Sequence, residues 1–160
     1  MDTLQQAPLT LCLTKAGLSA GTTSTVTTTA TVTYANRGKL YSKAALTNQA
    51  TPTTDAVTGL AFPALNPNQG VEVILGFDVS GNLKAMQGSI APLDGQGNFI
   101  GARIVPTVPD GVVPFGYIIL KAGTTLSGTF TFGTSNLSGV TGMTYSFQDI
   151  ATLPDRPQIS

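Results

Sequence analysis

From Thr25 to Thr33 every odd position is threonine, while the even positions read Val26, Thr28, Ala30, Val32 and Tyr34. A repeat of two is the spacing of an extended chain, whose side chains point alternately to opposite faces. Beta-branched threonine and valine are stiff and suit a pleated surface. The run TTSTVTTTATVTY (22–34) therefore predicts one strand with an apolar face and a hydroxyl face. Such a strand fits an antiparallel sheet solvated on one side. A single threonine row does not make an ordered-water array, so a solvated or subunit-facing strand is the simpler reading.

The same period governs VEVILGFDVS (71–80). Val71, Val73, Leu75, Phe77 and Val79 share one face; Glu72, Ile74, Gly76, Asp78 and Ser80 share the other. Ser80, Gly81 and Asn82 then mark a hairpin turn before LKAMQG. Further extended runs are LTLCLT (9–14), NFIGARIVP (98–106), YIILKA (117–122), GTFTFGT (128–134) and TYSFQDI (144–150). Helical spacing is nearly absent. The one candidate, residues 42–50, is stopped by Thr51 and Pro52 and predicts a turn or short helix at most. Many short strands without helical crossovers predict an all-β fold, an antiparallel sandwich or jelly-roll-like single domain. Residues 9–150 would form it, with residues 1–8 and 151–160 as terminal arms. Residues 47–70 form a long connection, either a surface loop reaching a neighbour or the seat of a short strand near Leu60 to Phe62.

Composition narrows function more by exclusion than by assignment. Only 10% of residues are charged and the net charge is zero, against about 25% charged in a typical domain. Duplex nucleic acid needs a cluster of cations, and the stretch from Arg37 to Lys43 is a weak one. No nucleic-acid partner is expected. No apolar run approaches membrane-helix length and no leader segment is visible, so no membrane partner is expected either. Synthesis and folding in a cytoplasm follow as the expectation.

Histidine is absent and Cys12 is the one cysteine. That excludes a serine–histidine or cysteine–histidine device within the chain and any intrachain disulfide. Cys12 reads as a small buried hydrophobe. No Ser-x-x-Lys, Walker A or Gly-x-Gly-x-x-Gly motif occurs. LDGQGN (93–98) has carboxylate and amide residues at calcium-loop spacing but no terminal glutamate, so it reads as a turn. Glu72 and Asp78 share a face but lie about 20 Å apart along a strand, too far to be a glycosidase pair within it. The expectation is no enzyme, with no catalytic residue, no metal and no cofactor. The paired aromatics Phe130 and Phe132, and Tyr145 and Phe147, read as core faces of strands.

One stretch concentrates constrained residues without chemistry, VPDGVVPFGYIILKAG (108–123). Pro106, Pro109 and Pro114 fix the backbone and remove three donors from any ladder. Residues 106–114 thus predict a rigid extended connector rather than a central strand, with a turn at Asp110-Gly111. Two readings of its apolar side chains stand side by side. Val112, Val113 and Phe115 either face a partner at low entropy cost or cap the domain's own core. Pro154 and Arg156 represent the C-terminal arm as a second candidate contact.

This stretch, with residues 12–56 and TFGTSNLSGVTGMTYSFQDIATLPDRP (131–157), resembles segments of small virion proteins of tailed double-stranded DNA phages. The resemblance carries no catalytic residues. It implies a structural role, in particular capsid decoration or cementing: a homo-oligomer, favourably a homotrimer, on the outer surface of the head, bound to the major capsid protein lattice. The competing reading is a phage fibre, spike or carbohydrate-binding module without catalysis.

Overall fold

The structure is a computed structural model and describes residues 9–151. Eleven strands follow in order: β1 (Leu11–Cys12), β2 (Leu18–Ala20), β3 (Thr25–Thr28), β4 (Val32–Asn36), β5 (Lys39–Lys43), β6 (Gln49–Ala50), β7 (Gln69–Phe77), β8 (Leu83–Gln87), β9 (Ala91–Pro92), β10 (Val113–Ala122) and β11 (Met143–Asp149). They form three antiparallel sheets. The largest runs β11-β10-β7-β8, with β9 beside β7; the smaller two run β1-β4-β5 and β2-β3-β6. The fold is all-β, as the period-two runs predict, and the described residues contain no helix.

The long threonine strand is broken. Residues 25–28 and 32–36 belong to different sheets, yet Val26, Thr28, Val32 and Tyr34 all remain buried. Side-chain hydroxyls stand in for the ladder at the break. Thr28 Oγ1 donates to the Ala30 carbonyl and accepts from the Leu46 amide. Thr14 Oγ1 accepts from the Thr33 amide and donates to the Thr31 carbonyl. Gly17 makes room for the bend: a Cβ there would lie 1.9 Å from Thr29 Oγ1.

β7 has both faces covered. Val71, Val73, Leu75 and Phe77 enter the main core, and Ile74 packs on the reverse face with Met86 and Val112. The main core takes Cys12 from β1, Val26 from β3, Tyr34 from β4 and Ile118 from β10, so all three sheets meet in it. Four rings cross this core in a stacked series. Phe115 stacks on Phe77 at 4.5 Å, Phe77 on Tyr34 at 5.6 Å and Tyr34 on Tyr41 at 5.5 Å. Tyr34 also donates its hydroxyl to the Asp78 carbonyl, giving its polar tip a partner.

Other expected elements differ. Residues 42–50 hold the end of β5 and all of β6. The 47–70 connection is a core plug rather than a free loop: Phe62 and Leu65 are buried, and Phe62 meets Phe132 edge-on at 5.1 Å. The run 128–134 contributes only a bridge from Phe130 to Leu65. The run 98–106 is not a strand; Phe99 bridges Leu93 and the rest passes over the surface.

Two hairpin turns share one construction. In DVSGN (78–82) and DGQGN (94–98) the aspartate Oδ1 accepts the amides two and four residues on, and Oδ2 accepts the asparagine side-chain amide. The fourth residue, Gly81 or Gly97, takes a positive φ, which glycine adopts at little cost. The residues at 93–98 therefore form a turn, as the missing glutamate implies.

Removing the second ring of the stack tests its weight. Phe77→Ala should lower unfolding stability by about 3–5 kcal/mol in chemical denaturation, with far-UV circular dichroism still reporting β structure.

Candidate interaction surface

The connector faces inward. Val113 and Phe115 are fully buried and Val112 is nearly so. These three are therefore core residues of the isolated chain, and the partner-facing reading of their side chains is corrected. β10 begins at Val113, two residues inside the stretch expected to be a connector. Val113 pairs with Phe77 and Pro114 with Gly76, and the register shifts between Pro114 and Gly116. A bulge tolerates a residue without an N–H, so Pro114 can sit inside a strand. Gly76 lets the connector close: a Cβ there would lie 2.6 Å from Val112 Cγ1 and 2.8 Å from the Val113 carbonyl oxygen. The Asp110-Gly111 turn is present, closed by the Val112 amide on the Pro109 carbonyl. Asn36, at the end of β4, donates to the Gly111 carbonyl at 2.7 Å, and Arg37 pairs with Asp110. Pro154 and Arg156 lie outside the described residues.

What the surface offers instead comes from the segment just upstream. Ile100, Ile104 and Val105 are each about 60% exposed, and Val57 and Leu60 are exposed as well. A groove of about 230 Å³ runs between Val57 and Thr58 on one side and residues 104–107 on the other. The segment is pinned at a few points. The Ile100 amide donates to the Pro92 carbonyl. Arg103 pairs with the buried carboxylate of Glu72 at 3.3 Å. The Phe99 ring has Lys121 Nζ at 5.4 Å and the Arg103 guanidinium at 5.8 Å from its centroid. The pattern of residues 98–106 predicts a strand. Nothing in NFIGARIVP separates an edge strand from a surface strap, because both are extended and rich in branched side chains.

The six described acids each have a partner in the chain. Asp78 and Asp94 hold their turns. Asp55 accepts the Val57, Thr58 and Gln87 amides. Asp149 accepts the Gly17 and Leu18 amides. Glu72 and Asp110 pair with arginines. Among the described residues no group of three or more His, Cys, Asp or Glu residues stands together. No helix there is long and apolar enough to cross a membrane. Cys12 is buried and donates to the Thr14 carbonyl at 3.1 Å; burial pushes its thiol pKa up.

No protein-family model matches the chain, and no curated protein or solved structure matches it either.

Two outcomes follow from these placements. Changing Val112 and Val113 together to serine should cost about 2–4 kcal/mol of stability, since it removes buried methyls and buries hydroxyls; a thermal melt reads this. The turns predict an acid effect. Burial alone would raise the Asp78 carboxyl, but hydrogen bonds from Asn82 and Ser80, with Lys84 nearby, hold it below its ordinary value. Hydrogen bonds, first from the Asn98 amide, also lower Asp94. A folded pKa below the unfolded one adds stability that is present above the unfolded value and lost as pH falls through the folded one. Stability should therefore fall below about pH 4, and Asp78→Asn with Asp94→Asn should flatten that part of the denaturation profile.

Proposed function

We propose that this chain is a non-enzymatic structural protein of a tailed-phage virion, decorating and stabilising the head lattice through contacts with the major capsid protein. Its sheets, on this reading, stack as a sandwich or jelly-roll-like domain, since side chains from all three enter one core. The observation that carries the role is a division of labour. The described acids each hold the chain's own backbone or arginines, while Ile100, Ile104, Val105, Val57 and Leu60 are presented to solvent. Apolar side chains on a surface this poor in charge suit adhesion by shape and burial rather than by ion pairing. Such binding would depend weakly on salt. The resemblance to small phage virion proteins supplies the location, the outer surface of the head.

The fibre or carbohydrate-binding reading has one feature in its favour. A trough of about 420 Å³ is lined by hydroxyl and amide residues, among them Asn68, Gln96, Thr124, Thr125 and Thr144. It lies at the end of the large sheet, beside the 94–98 turn. None of the stacked core rings lines it, so it lacks the aromatic platform that usually supports sugar binding.

Co-sedimentation with expanded heads assembled without this protein decides between the readings. The chain should pellet with heads at both 50 mM and about 500 mM salt, a range over which Debye screening shortens severalfold. Ile104→Glu with Val105→Glu should lose at least tenfold in affinity while melting like the parent. Failure of the parent chain to bind heads, with saturable binding to cell-surface glycans, would replace decoration by the fibre or carbohydrate-binding role.

A further inference from the structure

We propose that β11 joins two copies of this chain, strand against strand, across a two-fold axis. Among the described residues β11 pairs with β10 alone, in the register Tyr117 to Gln148 and Ile119 to Ser146. Just beyond its ends, the Ile150 amide donates to the Phe115 carbonyl and the Gly123 amide to the Gly142 carbonyl, in the same register. Antiparallel ladders bond at every second residue. Thr144, Ser146 and Gln148 therefore direct their backbone groups to β10, and Met143, Tyr145, Phe147 and Asp149 direct theirs outward. The Met143 amide donates to the Val140 carbonyl. For Tyr145 and Phe147 no hydrogen bond to the outward amides or carbonyls occurs among the described residues.

The opposite edge of the same sheet is closed. The Gly88 amide donates to the Glu72 carbonyl, which turns the backbone groups of Ala85 and Gln87 outward on β8. Ala56 donates to the Ala85 carbonyl, and the Gln87 amide donates to Asp55 Oδ2. A buried aspartate and a returning loop thus seal one edge of a sheet whose other edge has no strand partner among the described residues. β5, an edge of a smaller sheet, carries Lys39 and Lys43 at its two ends, a common guard against strand addition. From Met143 to Gln148 there is no lysine, no proline and no charge.

The occupant that fits is a second copy. An uncharged segment meets itself without repulsion, and the whole chain has zero net charge. The outward groups allow a two-fold register centred on Ser146. Tyr145 of one copy faces Phe147 of the second copy, and the reverse pair closes the other half, giving four main-chain hydrogen bonds about one axis. Ser146 then faces Ser146 of the second copy on the axis. Tyr145 and Phe147 pack against the main core, so this register keeps apolar side chains on one face of the extended sheet and Thr144, Ser146 and Gln148 on the other.

That register gives a specific test. Opposed residues in such a non-hydrogen-bonded pair have Cα atoms about 4.5 Å apart, within the range a disulfide spans. The native Cys12 is buried and does not compete. In the full chain, Ser146→Cys under mild oxidation should give a covalent dimer that reductant dissolves. Thr144→Cys, which would face Gln148 of the second copy, should cross-link at least tenfold more slowly. By sedimentation equilibrium the parent chain should be a dimer. Ser146→Lys, which opposes two cations on the axis, should weaken it at least tenfold, with an unchanged melting curve at dilutions where both chains are monomeric. A parent chain monomeric up to high micromolar concentration overturns the proposal. So does a trimer in which Ser146→Cys does not cross-link, or equal cross-linking at positions 144 and 146.

Discussion

Four aromatic rings stacked through the interior join two of this molecule's three sheets. Phe115 on β10 and Phe77 on β7 belong to the large sheet; Tyr34 on β4 and Tyr41 on β5 belong to a small one. Neither sheet can bury its apolar face alone, and the smaller one has only short strands. Large rings cover much area at little rotamer cost and add offset-stacking attraction. The Tyr34 hydroxyl, tied to the Asp78 carbonyl, also couples the stack to the turn that ends β7. Position of the sheets, closure of the connector and shape of the first hairpin thus depend on the same few side chains.

A chain with so few charges uses its acids as backbone organisers. Asp78 and Asp94 build two turns of one design, Asp55 seals a sheet edge, and Asp149 fastens β2 to the end of β11. Carboxylates suit this work because each oxygen accepts more than one N–H, and a hydrogen bond to a charged acceptor is stronger than a neutral one. The outer surface is left to hydroxyls, amides and a strap of exposed apolar residues. The proposed structural and adhesive role rests on that combination.

Some of this was legible in the residues. The spacing of Val71, Val73, Leu75 and Phe77 marked a core face, and the glycines and asparagines after Asp78 marked a hairpin. The matching form of the turns at 78–82 and 94–98 was also present as D-x-x-G-N, a signal that a comparison of turn segments would have found. The candidate surface was not legible. Val112, Val113 and Phe115 read as either interface or core, because an apolar extended run carries no mark of which neighbour covers it. Ile100, Ile104 and Val105 read as strand for the same reason.

The sequence by itself determined local geometry: extended backbone, alternation of faces and turn positions. These follow from φ, ψ and side-chain stiffness within a few residues. Only the tertiary structure decided where the threonine run breaks, that Pro114 sits in a bulge inside β10, and that, among the described residues, β8 is sealed while β11 stays open. Each depends on a partner far along the chain. Leu46 meets Thr28, Gly76 meets Val112, and Asp55 meets Gln87. Pairings over such separations are selected by the packing of the whole core, which no local pattern encodes.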